Sequence, residues 1–394
     1  MKVAFVLPWY GPDIPGGAET AARQTAERLA ARGHTVEVLT TCLRDLYSDW
    51  SENSHPAGLS SHNGVTIRRF PVLPRDQAAF NQLNWQLMNG LPIPPEQEAT
   101  FIEEMFPVPA LYDYIREHQA EYVFLFTPYM FSSTYFGAQI APARTALIPC
   151  LHDEPYVWLG LYRPVLQNAA ALIFFSPAEA AFAQRLLGDQ AAQLRVVAGS
   201  GVTAPAGPDP DRFRAKYGLQ HPFVLYAGRR EPGKNIDLLL DYWGRYQADG
   251  NRPMELILIG SGQVDIPPRL RAHTRDLGFV SIQDKNDAYA AALALCQPSV
   301  HESFSIVMME SWLAGRPVLV HADCAVTSDH TRRANGGLYF RQYTEFAACL
   351  DYFQANPAAA AQLGAQGRAY VLANYQWETV LAQYERVIAA LAEG

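Results

Sequence analysis

Two carboxylates with seven residues between them, Glu302 and Glu310, bound the string Glu302-Ser303-Phe304-Ser305-Ile306-Val307-Met308-Met309-Glu310. The string leads from an apolar strand-like run ending near Pro298 into a helical stretch that reaches Ala314 and Gly315. At ~1.5 Å per helical residue the two acids lie on the order of 10 Å apart, enough to address two ends of one extended ligand. Ionised carboxylates accept paired hydrogen bonds from vicinal hydroxyls, so the string suits a polyhydroxylated substrate. Ordinary helices carry such pairs too, and the place at a strand's carboxyl end is what singles this one out. A second string, Gly228-Arg229-Arg230-Glu231-Pro232-Gly233-Lys234-Asn235, joins the strand-like run Phe223 to Ala227 to an apolar helix from Ile236 to Tyr242. There Arg229 as a fork and Lys234 as a point charge can converge on one diphosphate, the plain alternative being surface salt bridges.

Near the N-terminus, Gly16-Gly17-Ala18-Glu19 opens the first predicted helix. Gly16 and Gly17 let a phosphate or sugar approach the backbone, where the free N–H groups of a helix start favour an anion. A tight turn with a dipole-complementing carboxylate is the bland alternative. His152-Asp153-Glu154 follows the apolar run Thr145 to Cys150. This makes His152 a hydrogen-bonding or acid–base group at a strand's end, or else part of a polar loop or cap. The chain has no GxGxxG, which argues against a nicotinamide or flavin enzyme, and no HExxH or Cys/His cluster, so no metal site is expected. Its one DxD, Asp209-Pro210-Asp211, reads as a turn.

These residues need strands and helices to hold them. An apolar run Lys2 to Leu7, a Gly/Pro-rich turn Tyr10 to Gly17, a helix Ala18 to Arg32 and a strand Thr35 to Thr40 make one βαβ unit with parallel strands. Further strands are predicted at Thr66 to Phe70, Tyr122 to Phe126, Thr145 to Cys150, Ala171 to Phe175 and Arg195 to Val197. A Gly/Pro-rich linker over 201–212 separates this half, 1–200, from a second, 213–375. The second half has strands at Phe223 to Ala227, Glu255 to Ile259, Leu277 to Val280, Ala294 to Pro298 and Pro317 to His321. The fold class is therefore α/β, with two Rossmann-like doubly wound halves whose strands' carboxyl ends face across a cleft. Residues 71–109 exceed an ordinary connection and read as an insertion lining a site.

The 394 residues and net charge of −8 fit a two-domain globular protein and argue against a nucleic-acid binder with a broad basic face. Five scattered cysteines encode no disulfide framework, and a reducing compartment fits best. The uncharged stretch Tyr122 to Ala143 contains Pro128, Gln139 and Pro142 and reads as a buried strand and short helix, not a membrane span. A cytoplasmic protein is expected.

Taken together the motifs resemble the retaining GT-B glycosyltransferases, most closely glycosyltransferase family 4. The Gly228 to Asn235 element and the Glu302 to Glu310 string followed by Ala314-Gly315-Arg316-Pro317-Val318 are specific. Gly16 to Glu19, His152-Asp153 and Ser176-Pro177-Ala178-Glu179 support them. The resemblance implies transfer of a sugar from a UDP- or GDP-sugar, the co-substrate, to a glycan, lipid-linked or small-molecule acceptor with anomeric configuration kept. No cofactor or metal is implied.

By the same analogy Arg229 and Lys234 hold the diphosphate, Glu310 the ribose, and Glu302, with Ser303, Phe304, Ser305 and Ile306, the donor sugar. Val280 sits where the base is read, Gly16 and Gly17 approach from the other domain, and His152 lies by the sugar. Catalysis is thus expected of Glu302, His152, Arg229 and Lys234. The second domain would bind donor and the first acceptor, through Asp153, Tyr129 and Tyr156, with a last helix at about 376–394 returning to the first domain. Ser305 stands where many relatives have Gly. Residues 1–200 carry 13 Lys and Arg against 19 Asp and Glu, net −6, so charge-driven attachment to anionic lipid is not supported. A peripheral contact at the cytoplasmic face of a membrane stays open. A non-catalytic nucleotide-sugar binder and a hydrolysing sugar-nucleotide epimerase are the competing readings.

Overall fold

The computed structural model describes residues 1–14, 16–189, 193–230, 232–250 and 253–393. Pro15 and Glu231, each within a stretch singled out above, lie outside the described residues. The chain forms two compact units, Met1–Gly201 with Glu378–Gly394, and Val202–Trp377.

The first unit is built on eight strands: β1 Lys2–Val6, β2 Thr35–Thr41, β3 Gly58–His62, β4 Val65–Phe70, β5 Val123–Phe126, β6 Thr145–Leu147, β7 Ala171–Phe174 and β8 Leu194–Val197. They lie in the order β3-β4-β2-β1-β5-β6-β7-β8. Strands covered by helices on both faces must be apolar almost throughout, and β5 and β7 are buried at every position. The chain reverses direction across the sheet between β1 and β5, so the loops after these two strands diverge and leave a crevice at their carboxyl ends. Edge strand β3 was not expected. It pairs antiparallel with β4 through a turn at Asn63 and Gly64, both at positive φ, the Asn-Gly signal of a two-residue hairpin.

The long segment 71–109 is largely structured. It carries helices Gln77–Met88 and Pro95–Glu103, whose Phe80, Leu83, Leu87, Phe101 and Ile102 are buried in the core. The last helix, Trp377–Glu393, completes this unit. Its Val380, Leu381, Tyr384, Val387, Ile388 and Leu391 form a buried stripe at helical spacing. At roughly 1.5–3 kcal/mol for each such side chain, this face contributes on the order of 10 kcal/mol. Arg32 of the first helix pairs with Glu378 and, at 2.9 Å, with Glu385.

The second unit has six parallel strands: β9 Phe223–Ala227, β10 Glu255–Ile259, β11 Thr274–Asp276, β12 Ala294–Gln297, β13 Val318–His321 and β14 Gly337–Phe340. Their order, β11-β10-β9-β12-β13-β14, is the 3-2-1-4-5-6 arrangement of nucleotide-binding sheets, with its switch point between β9 and β12. Strand β11 lies just before the run Leu277 to Val280 expected to form it, because Gly278 at φ 64° turns the chain away. Strand β14 was missed, its start hidden by Gly336 and Gly337. Asp209 caps the helix Pro210–Tyr217, accepting from the backbone N–H groups of Asp211 and Arg212 at 3.0 Å each, so the DxD is a helix start and the expected linker is helical at its end. Among the described residues no helix is long and apolar enough to cross a membrane.

Candidate active site

In the second unit the switch point gathers the strings Gly228 to Asn235 and Glu302 to Glu310. Lys234 ends the turn Pro232–Lys234 beyond β9, and its ammonium lies 2.8 Å from Glu302 Oε1. The same oxygen accepts from Gln297 Nε2 at 3.0 Å, and Gln297, the buried last residue of β12, also reaches Ser305 Oγ at 3.3 Å. Two further bonds stitch the strings together: Asn235 Nδ2 donates to the Pro298 carbonyl at 3.1 Å, and Ser299 Oγ to that of Gly233 at 3.3 Å. Glu302 is thus held by one cation and one amide, with lone pairs left for a ligand's hydroxyls.

Behind the pair, the Tyr226 hydroxyl donates to the Arg229 carbonyl at 2.6 Å and fixes the backbone at that residue. Arg230, whose place in the sequence suggests no role beside Arg229 and Lys234, has a wholly buried side chain paired with Asp276 and the Gly260 carbonyl, joining the ends of β9, β10 and β11. Glu310, on helix Ile306–Leu313, takes Lys285 Nζ at 2.5 Å and the Tyr289 hydroxyl at 2.9 Å, both from helix Ile282–Ala291. Burial, and then the Glu310 charge, push the Tyr289 phenol well up, so it stays protonated and can donate. Half-buried Val280 precedes that helix, with Phe279 strongly exposed beside it.

Two members of the Glu302 string behave differently from expectation. Phe304 is 3% exposed and packs edge-on against His330 and Tyr375, so its ring supports the loop and cannot meet a donor sugar. Ser305 takes the left-handed conformation, φ 67°, ψ 73°, as the residue preceding helix Ile306–Leu313. That conformation is open to glycine without a Cβ penalty, which is the physical sense of the Gly that the resemblance leads one to expect here. Ser303 and Ile306 flank it, both half-buried.

In the first unit, Gly16 precedes helix Gly17–Ala31 at φ 145°, where an added Cβ would fall 1.9 Å from a carboxylate oxygen of Glu19. That carboxylate accepts from Trp9 Nε1 at 2.9 Å, while Gly17 is exposed with open space around it. Beyond β6, His152 is clasped between two acceptors: Nδ1 lies 3.1 Å from the Cys150 carbonyl and Nε2 3.1 Å from Glu154 Oε2. A doubly protonated ring would satisfy both. The Tyr129 hydroxyl donates to Glu154 Oε1 at 3.2 Å. At 3% exposure Tyr129 is a core residue that orients Glu154, and the acceptor contact expected of it is not available. Tyr156 is half-buried and donates to Asn84 at 2.8 Å, on the helix of the long insertion. Asp153 is exposed and accepts from Trp158 Nε1 at 2.8 Å.

Glu179 lies under the His152 loop. It is fully buried and accepts from the backbone N–H groups of Leu151 and Phe175 at 2.7 Å each. Burial pushes its carboxyl up to about 7, against the pull of those donors and of His152. Its start-of-helix pattern, with Ser176 Oγ accepting from the Glu179 N–H at 3.1 Å, was visible in the sequence, whereas nothing there marked Gln297, Lys285 or Tyr289.

The chain matches the family model for glycosyl transferases group 1 over residues 221–355 and that for the glycosyl transferase 4-like domain over 16–199. It is 26% identical to phosphatidyl-myo-inositol mannosyltransferase of Mycobacterium tuberculosis over 331 residues, covering 81% of this chain and 77% of that protein. D-inositol 3-phosphate glycosyltransferase of Stackebrandtia nassauensis is 25% identical, with 90% and 82% covered. In fold the chain resembles sucrose-phosphate synthase of Thermosynechococcus elongatus, TM-score 0.72 at 20% identity, over 99% of this chain and 98% of that one. It is also similar to Anabaena HepE in complex with UDP and glucose, TM-score 0.70 at 17% identity, over 99% and 100%. With one family model on each unit, this protein belongs to the group 1, family 4 glycosyltransferases of the GT-B fold.

Proposed function

We propose that the enzyme is a retaining, metal-independent glycosyltransferase that moves a hexosyl group from a UDP- or GDP-sugar to a hydroxyl of a glycan, lipid-linked or small-molecule acceptor. The observation that carries this reading is the Lys234–Glu302 pair at 2.8 Å, with Gln297 behind it, at the switch point of the second sheet. Lys234 has three N–H donors, so it can keep Glu302 and also take a phosphate oxygen, with Arg229 as the second cation. Glu302 orients the donor sugar by its hydroxyls. Glu310, steadied by Lys285 and Tyr289, offers its remaining lone pairs to the ribose.

As the bond between the anomeric carbon and the diphosphate breaks, negative charge grows on the leaving oxygen. Cations fixed there stabilise the transition state more than the ground state. The acceptor oxygen bonds the same face of that carbon, and its proton passes to the departing phosphate. Two positive side chains take the place that a divalent cation would otherwise hold. The fold likeness to a protein solved with UDP and glucose supports a uridine donor among those named.

Incubation with UDP-glucose, UDP-galactose or GDP-mannose and an acceptor panel, followed by NMR of the product, is expected to show the donor's anomeric configuration kept. Excess EDTA should change the rate less than about twofold. An inverted product, or release of free sugar with no acceptor dependence, would sink the proposal.

A further inference from the structure

The first unit holds a cavity of about 410 Å³ between the stretch joining its two insertion helices and the loop after His152. Leu91, Ile93 and Trp158 give it apolar walls, and Glu98, Asp153 and Glu154 line it with carboxylates. Among the described residues no Lys, Arg or His lines it. Its volume falls in the range of small-molecule pockets, about 300–1,000 Å³.

Each carboxylate is fixed by a donor from the protein. Glu98 accepts from the N–H groups of Gly160 at 3.0 Å and Leu161 at 2.8 Å, and Asp153 from Trp158 Nε1 at 2.8 Å. Glu154 is held by Tyr129 and His152. Every ionised oxygen has two lone pairs, so oriented acceptors are left over while the lining offers no charged donor. The Trp158 side is complementary: its N–H is already satisfied, and with 60% of the residue exposed the indole presents a flat apolar face. An occupant must bring many hydroxyl donors and a flat C–H face, and must not bring an anion, which three carboxylates would repel.

We propose that this cavity is an acceptor subsite for an uncharged sugar ring, seated on Trp158 with hydroxyls on Glu98, Asp153 and Glu154, and that it selects against phosphorylated acceptors. The inference rests on the glycosyltransferase reading and narrows its acceptor. It also separates this chain from the relatives above, whose names specify inositol carrying a phosphate.

The test uses the full chain with UDP present and saturation-transfer NMR on matched probes: the methyl glycosides of glucose, mannose and galactose, and the 6-phosphates of the same sugars. At least one neutral glycoside should bind at least tenfold more tightly than its phosphate. Trp158→Ala should weaken that binding about tenfold and leave the UDP dissociation constant, measured by calorimetry, unchanged. Asp153→Asn, which keeps the shape and removes a charge, should shrink the neutral-over-phosphate preference severalfold. Phosphates binding as well as neutral partners, no glycoside binding, or Trp158→Ala without effect would each overturn the subsite. Failure of both UDP and GDP to bind would instead strike the glycosyltransferase reading, because calorimetry reports the second unit's site independently of the acceptor probes.

Discussion

The two units share a doubly wound parallel plan and differ in how they dress the carboxyl ends of their strands. In the second, acids and cations come in pairs: Lys234 with Glu302, Lys285 with Glu310, Arg230 with Asp276. In the first, Asp153, Glu154 and Glu98 are steadied mainly by neutral groups, a tyrosine, an indole and backbone amides, with His152 the one donor named among them that can carry a positive charge. Paired charges can open to admit a diphosphate and remain balanced. Carboxylates fixed by neutral donors have lone pairs left over for hydroxyls. One fold thus supplies two chemistries through its loops alone.

The largest effect should come from breaking a pair. Lys234→Ala removes the cation proposed for the leaving group and leaves Glu302, whose side chain is only 9% exposed, without its ion partner. Turnover is expected to fall by roughly 10²–10³-fold, with weaker donor binding by calorimetry. A kcat within threefold of wild type would deny the second unit its assigned chemistry.

A middle-sized effect distinguishes the buried ionisable groups. Glu179, raised by burial from 4.5 to about 7, binds a proton more readily in the fold than in the unfolded chain. Its contribution to stability is full below pH 4.5 and shrinks as pH rises towards 7, by roughly 3 kcal/mol. His330, in the second unit, is lowered by burial from 6.5 to about 4. It has the opposite sign: its contribution is full above pH 6.5 and is lost as pH falls towards 4. Thermal melts of wild type and Glu179→Gln from pH 4 to 8 should show a pH-dependent gap that changes chiefly between 4.5 and 7. A gap flat across that window would mean that Glu179 does not titrate there.

The smallest effect concerns Ser305. Ser305→Gly relieves a left-handed residue but loses the contact with Gln297 Nε2, so a gain of at most about 1 kcal/mol is expected in a urea titration.

Legibility in the sequence followed the range of the forces involved. Apolar runs and Gly/Pro punctuation are local, so most strands, the two strings and the last helix could be read directly. Edge strands β3 and β14 were not, because a strand that is exposed, as β3 is, or half-buried, as β14 is, and that starts on glycine resembles a loop. The candidate site was legible where an acid or cation stood beside a strand's end, as with Lys234 and Glu302. Their supports were illegible. Gln297 reads as the polar end of a strand and Lys285 as a surface helix residue, and only the fold brings each to its carboxylate. Tyr129 and Phe304 failed in the other sense: the resemblance implied contact with a substrate, and burial turned both side chains inward.

The helix Trp377–Glu393 has a consequence for the order in which the molecule can be made. The second unit is one continuous stretch of chain and is whole once Trp377 has been synthesised. The first unit, although it is begun first, waits for its closing helix until Glu393 has been synthesised, with an apolar face uncovered in the meantime. On the ribosome, the unit that starts first is the last to be finished.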